Sequence, residues 1–357
     1  MRRKTKKVQA GTLAIGGGAP VSVQSMTTTD TRNWQETVRQ IKALADAGCE
    51  LVRVAVPDFE AAAALPKICA ASPIPVAADI HFDWRLALEA LKAGVHKLRI
   101  NPGNIGDAAR VRQVVLEAKA RGCPIRIGVN AGSLEKKLLA KYGKPTAEAL
   151  VESALEKVAQ LEKLDFDQIV ISLKASQVPL MIAAYRLMAE KAPYPLHLGV
   201  TEAGTAYSGT IRSAVGIGAL LADGIGDTIR VSLTADPTEE VRAGYEILKS
   251  LGLRQRGPTL ISCPTCGRCE IKLLQLAREV EERLGEVDMP IQVAVMGCAV
   301  NGPGEAREAD VGIAGGRGKG LVFRKGEVVA RVDEEELVDA LFREIGKLKE
   351  CIDNENE

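Results

Sequence analysis

Short aliphatic runs alternate with longer amphipathic stretches along the first two thirds of the chain. Eight runs read as strands: Val21–Met26, Leu51–Val56, Pro75–Ile80, Lys97–Asn101, Ile125–Asn130, Gln168–Lys174, Leu196–Thr201 and Thr228–Leu233. The Ala- and Leu-rich stretches between them, such as Trp34–Ala47, Trp84–Ala93, Ala108–Arg121 and Glu239–Leu251, carry the spacing of helices. Gly48, Gly94, Gly122, Gly224 and Gly252 stand where helix C-caps belong. Eight alternating strand–helix units predict a TIM (β/α)8 barrel rather than an open doubly wound sheet. The longest interval, between the fifth and sixth strands, holds Leu134–Tyr142, which predicts a loop insertion or an extra helix.

After Leu253 the pattern breaks at Arg254-Gln-Arg-Gly-Pro258, which reads as a linker. The remainder reads as a strand, a cysteine loop, a helix over Glu270–Leu284, a strand over Ile291–Met296, a turn and a short strand. A hairpin follows, turning near Lys325-Gly326 between Leu321–Phe323 and Val328–Val332, and then a final helix over Asp333–Leu348. The expected architecture is therefore α/β throughout: a barrel over 1–253 and a small α/β domain over 259–357. Two charged ends, basic Met1–Lys7 and acidic Asp353–Glu357, read as a solvated tail and a disordered terminus.

Composition narrows the class. Of 357 residues, 46% are hydrophobic but only 3% aromatic, so the core must be aliphatic. Net charge is +1, and with so few aromatics to stack on bases a nucleic-acid surface is disfavoured. No apolar run approaches the roughly 18 residues a membrane span requires. Eight cysteines without an export signal argue for a reducing compartment, with cytoplasm as the default.

Cations recur where a parallel barrel should be apolar. Arg53, Arg99, Arg126 and Arg230 each interrupt an aliphatic strand, and Lys174 ends the sixth. A buried guanidinium is expensive unless paired, and five cations cannot neutralise one another. Period-two alternation puts Arg99 with Asn101, Arg126 with Asn130, Lys174 with Ser172, Arg230 with Ser232 and Asp79 with His81 on common faces. Counting Asp79 and Glu202 as the anions leaves an excess of three positive charges near the C-terminal mouth. Arginine forks suit phosphate oxygens, so the ring predicts a phosphate-bearing substrate. Neighbouring helix carboxylates are the competing partners for each arginine.

Cys263, Cys266 and Cys269 run together, and Cys298 closes a second strand ahead of Asn301-Gly-Pro-Gly-Glu305. Thiolates at this spacing select zinc or an iron–sulfur cluster. Three thiolates and one carboxylate suggest a cluster with a replaceable position, whereas four thiolates suggest a structural zinc. A non-redox barrel enzyme with a zinc-stapled tail and a non-catalytic iron–sulfur carrier remain the alternatives.

Ser262-Cys-Pro-Thr-Cys-Gly-Arg268, Met296-Gly-Cys-Ala-Val-Asn-Gly-Pro-Gly-Glu305 and Val23-Gln-Ser-Met-Thr27 resemble the 4-hydroxy-3-methylbut-2-enyl diphosphate synthase (IspG/GcpE) family in its two-domain bacterial form. The resemblance implies reductive ring opening of 2-C-methyl-D-erythritol 2,4-cyclodiphosphate in the non-mevalonate isoprenoid pathway. It also implies a [4Fe–4S] cluster on Cys263, Cys266, Cys298 and Glu305. The substrate contacts it implies are Arg53, His81, Arg99, Asn101, Arg126, Asn130, Lys174, Thr201, Arg230 and Ser232, with Glu202 and Glu305 in catalytic roles. Glu202 is the expected proton-transfer group. Flavodoxin or ferredoxin is the implied electron donor, and a head-to-tail homodimer the implied assembly. Cys269 stands where the family often has a non-thiol residue, and is expected to begin the following helix as a bystander.

Overall fold

A hairpin of β1 (Val8–Ala10) and β2 (Leu13–Ile15) precedes the first barrel strand in the computed structural model, which describes residues 1–298, 308–316 and 318–355. The chain divides into two compact units, Met1–Arg254 and Gln255–Glu357.

Eight parallel strands build the first unit: β3 (Ser22–Met26), β4 (Leu51–Ala55), β5 (Val76–Asp79), β6 (Lys97–Ile100), β7 (Ile125–Asn130), β8 (Ile169–Lys174), β9 (His197–Leu198) and β10 (Thr228–Ile229). They pair in the order β8-β7-β6-β5-β4-β3-β10-β9. A parallel bridge between Ile171 and Leu196 joins the two ends and closes the barrel. The helices between them are α1 (Trp34–Asp46), α2 (Phe59–Ala71), α3 (Trp84–Lys92), α4 (Ala108–Ala120), α5 (Lys136–Tyr142), α6 (Ala147–Glu162), α7 (Val178–Lys191), α8 (Ala206–Ala222) and α9 (Pro237–Ser250). Short polar side chains start many of them: Asn33, Asp58, Asp83, Asp107, Thr146 and Asp236 each accept a first-turn backbone N–H. The interval at Leu134–Tyr142 contains α5, an extra helix before α6.

Two features depart from the sequence pattern. The last two barrel strands are only two residues long, against the six expected at each place. Gly199 shows why: a Cβ there would lie 2.8 Å from the Arg230 carbonyl oxygen, so the two backbones meet more closely than a regular ladder permits. The basic N-terminus is also not a solvated tail. Arg2 Nη1 donates to the Ala19 carbonyl at 2.6 Å, and Arg3 donates to the carbonyls of Ala189 and Tyr194 at 3.0 and 3.1 Å. This latch holds β1 and β2 against the barrel floor, where Val8, Ala10 and Ile15 pack on Leu51, Ala77 and Val170.

The second unit is a five-stranded sheet in sequence order: β11 (Thr259–Ser262), β12 (Gln292–Met296), β13 (Val311–Gly316), β14 (Lys319–Arg324) and β15 (Glu327–Asp333). β11, β12 and β13 are parallel, and β13–β15 are antiparallel. α10 (Leu273–Leu284) and α11 (Leu337–Glu355) cover the sheet with an apolar cluster that includes Leu276, Val280, Leu341 and Ile345. α10 begins three residues later than expected. α11 runs on to Glu355, so most of the acidic end is helical rather than disordered.

Candidate active site

Alternation along the barrel strands turns a polar set into the interior. Arg53 on β4, Asp79 on β5, Arg99 on β6 and Arg126 on β7 are all buried. In register, Asp79 stands opposite Arg99, and Arg99 opposite Arg126. Asp79 is the hub: Arg99 Nη1 lies 3.0 Å from Oδ1, Arg53 Nε 3.4 Å and His81 Nε2 3.6 Å from Oδ2. Burial pushes the Asp79 carboxyl up. The charge of Arg53, the His81 hydrogen bond and the charges of Arg99 and Arg126 together outweigh it and hold the pKa well below the usual carboxylate range.

Two neighbours to which the sequence argument gave no part in the ring shape this cluster. The Met26 sulfur accepts from Arg53 Nε and Nη2 at 3.2 and 2.9 Å. Gly128 on β7 leaves room for Arg99, because a Cβ there would meet its Nε at 2.9 Å. Neither a methionine acceptor nor a missing side chain announces itself in a linear pattern.

The second buried anion is not Glu202. Arg230 forks onto Glu240 of α9, with Nε to Oε2 at 3.3 Å and Nη2 to Oε1 at 3.1 Å. Glu240 also accepts from Ser25 Oγ at 2.9 Å and the Leu233 amide at 3.0 Å. Glu202 is exposed, and its backbone has φ +53°, which costs a non-glycine residue about 1–2 kcal/mol and concentrates at functional positions. Thr201, just before it, donates its amide to the Ala175 carbonyl at 3.4 Å.

The remaining expected contacts fall on the same strand ends. Asn101 is buried, with Oδ1 accepting from the Gly103 amide at 3.2 Å. Asn130 is half-buried with an unpartnered Oδ1, directly across the ladder from Lys174. Ser232 is half-buried just beyond β10. His81 stays largely exposed, with Nε2 3.4 Å from Arg99 Nη1. Outside this ring, a groove of ≈ 590 Å³ is lined by Phe82, Arg85, Ile105 and Arg110 among others.

The ring is short of anions. Arg126 is 1% exposed, and all three guanidinium nitrogens lack a hydrogen-bond partner. Burial first, then the charges of Arg53 and Arg99, press its pKa well below the usual value. Lys174 is pressed down by burial and then by Arg53, Arg126, Arg99 and Arg230. Arg53 falls to about 10 for the same reason, burial foremost, although Asp79 opposes it. These cations lie close enough to repel one another, and a phosphate between them removes both the repulsion and the unmet hydrogen bonds.

In the second unit, Cys263 follows β11 and Cys298 follows β12. Ser262 pairs with Val295, so the two thiol positions share one end of the sheet. The Gly297 amide donates to Cys263 Sγ at 3.2 Å, an arrangement that suits a thiolate ligand. Cys298 is buried, Cys263 half-buried and Cys266 exposed. Among the described residues, no three His, Cys, Asp or Glu side chains already form a metal-holding group. Glu305 and the rest of its Asn-Gly-Pro-Gly-Glu motif lie outside the described residues. The soft donors on one sheet end and the amide aimed at sulfur nevertheless fit a thiolate-ligated centre. Cys269 precedes α10 without joining it. Its thiol donates to the Ile271 carbonyl at 3.2 Å, and it packs so closely on Gly297 that a Cβ there would lie 2.8 Å from its sulfur.

Comparison with known proteins covers both units. Family models described as the GcpE TIM-barrel domain and the GcpE protein C-terminal domain match residues 5–245 and 259–347. The 4-hydroxy-3-methylbut-2-en-1-yl diphosphate synthase (flavodoxin) of Geobacter sulfurreducens is 64% identical, over 98% of this chain and 99% of its own. The enzyme of the same name from Clostridium perfringens is 60% identical, over 96% and 98%. Among solved structures, the N-acetylneuraminic acid synthetase of Leptospira borgpetersenii aligns with a TM-score of 0.50 at 14% identity, over 79% of this chain and 98% of that one. That likeness speaks for the fold alone.

Proposed function

The chain belongs to the GcpE family of 4-hydroxy-3-methylbut-2-en-1-yl diphosphate synthases, and from that premise we propose how its residues carry out the reaction. It is an oxidoreductase of isoprenoid synthesis by the non-mevalonate route, and its substrate is 2-C-methyl-D-erythritol 2,4-cyclodiphosphate. The observation that carries the substrate reading is the unpartnered, wholly buried Arg126 guanidinium amid Arg53, Arg99 and Lys174.

The cyclic diphosphate sits with its phosphates against this set, while Asn101, Asn130, Thr201 and Ser232 orient the sugar carbons and hydroxyls. Arg53 and Arg99 are held in place by Asp79, and Arg230 by Glu240, so the donors are fixed before the substrate arrives. Opening the ring converts a bridging phosphate oxygen into a terminal one. Negative charge therefore grows beside the guanidinium groups, which stabilise the transition state more than the ground state. Glu202 delivers the proton that lets the departing hydroxyl leave as water, and His81, with Nε2 3.6 Å from Asp79 Oδ2, steadies the same end of the ligand. A [4Fe–4S] cluster held by Cys263, Cys266, Cys298 and Glu305 would supply two electrons singly, drawn from reduced flavodoxin or ferredoxin.

The family resemblance also supports a head-to-tail homodimer working in the cytoplasm. Among the described residues, no helix is long and apolar enough to cross a membrane. Arg126→Ala tests the substrate reading. It should raise the KM for the cyclic diphosphate at least about tenfold, the worth of a charged hydrogen-bond set, while iron and acid-labile sulfide stay unchanged. An unchanged KM overturns the phosphate ring.

A further inference from the structure

Beneath the ring lies a second set of polar groups, of which only Arg126 has been given a role above. The floor residues Leu51, Ala77 and Val170, sealed from below by the β1–β2 hairpin, each have a polar ladder neighbour: Gln24 opposite Leu51, Lys97 opposite Ala77 and Arg126 opposite Val170. Lys97 is 1% exposed and its Nζ has no hydrogen-bond partner. Both the oxygen and the nitrogen of the buried Gln24 amide are likewise unpartnered. On β9, buried His197 places Nδ1 3.4 Å from Thr228 Oγ1 and leaves Nε2 without a partner. An isolated buried ammonium is among the costliest groups a core can hold, and an unmet guanidinium beside it compounds the cost.

We propose that these buried, unpartnered groups form a second anion subsite, in which Lys97, Arg126, Gln24 and His197 hold a phosphate-class oxyanion below the substrate ring. The amide and imidazole supply neutral donors, and the two basic side chains supply charge. The hairpin closes the floor, so the anion enters from the mouth. Its source is either the substrate's own phosphoryl group, a case that rests on the function proposed above, or free inorganic phosphate.

Ligand-free, Lys97 lies near the charges of Arg126 of β7 and Arg53 of β4, beside the Cys123 thiol and His197, and burial followed by those two arginines drives its pKa well down. His197 faces Arg126, Lys97, Lys174 and Arg53, and burial followed by that charge drives it down as well. An arriving oxyanion reverses the balance, so binding draws protons from solution.

Anaerobic calorimetry of the holoenzyme near pH 8, in two buffers of different ionisation enthalpy, counts those protons for two probes: inorganic phosphate and the cyclic diphosphate. Wild-type protein should bind with net proton uptake, the direction set by the depressed Lys97 and His197. Lys97→Met should abolish most of the uptake and weaken binding about tenfold or more, as expected for a lost charged hydrogen bond. Lys97→Arg should restore affinity without the proton. Uptake with phosphate alone identifies free phosphate as the occupant, and uptake only with the cyclic diphosphate identifies the substrate's phosphoryl group. No uptake by wild-type protein with either probe overturns the subsite, and this count stands even if Lys97→Met does not fold. Affinities of Lys97→Met for inorganic phosphate and for the cyclic diphosphate that both equal wild type also overturn it, leaving the proposed function intact. Lys97-dependent phosphate binding without any binding of the cyclic diphosphate would keep the subsite and sink the function.

Discussion

Asp79 and Arg126 occupy one buried cluster and pull stability in opposite directions. Asp79→Asn leaves Arg53 and Arg99 uncompensated, so the barrel should lose about 3–5 kcal/mol in denaturant titration. Arg126→Met replaces an unmet charge with an apolar stem of similar length, and should be neutral or stabilising by about 1–4 kcal/mol even as substrate affinity falls. An Arg126→Met variant that is markedly less stable would show that the guanidinium is paired in the ligand-free protein. The Asp79 pKa is depressed in the folded state, so its contribution is complete above about pH 4, the unfolded value. It fades as pH falls through the lower folded value, and Asp79→Asn should flatten that acid limb of the stability curve. The strand arginines were legible in the sequence because charge in a two-sided buried strand violates the pattern. Glu240 and Lys97 were not. Helix carboxylates were foreseen as rival partners for the arginines, but the linear pattern does not single out Glu240 as the one that reaches Arg230, and Lys97 begins its strand, where a lysine ordinarily reaches water.

Elements were read with uneven success for local reasons. The six longer barrel strands follow the aliphatic runs to within two residues, and the glycines expected at helix ends adopt positive φ. The β1–β2 hairpin escaped notice because three-residue strands beside a basic run carry too little periodicity to register. The late start of α10 follows from the cysteine loop, whose backbone bonds to the turn after β12: the Glu270 amide donates to the Gly297 carbonyl at 3.0 Å. That contact makes Gly297 a sensitive position. Gly297→Ala drives a methyl against Cys269 Sγ and should destabilise the second unit by about 1–3 kcal/mol and lower iron content. Cys269→Ala alone should keep iron and sulfide, and the double variant should recover what Gly297→Ala loses. Loss of iron in Cys269→Ala would instead make that thiol a ligand.

At the scale of the molecule, six interior basic side chains, Lys97 included, face two buried carboxylates, Asp79 and Glu240. Such an excess of basic groups over acids favours a barrel that an anion fills, as the proposed function requires. On the proposed function, the interior charge holds the substrate and the thiol-bearing unit carries the electron-supplying cluster, so turnover needs both. The direct test is an assay of anaerobically purified protein with reduced viologen dye and 2-C-methyl-D-erythritol 2,4-cyclodiphosphate, following the hydroxybutenyl diphosphate formed. The account predicts turnover that tracks bound iron and acid-labile sulfide and vanishes when both are chelated out. Protein that binds only zinc, or that holds a cluster yet leaves the cyclic diphosphate intact, would contradict it.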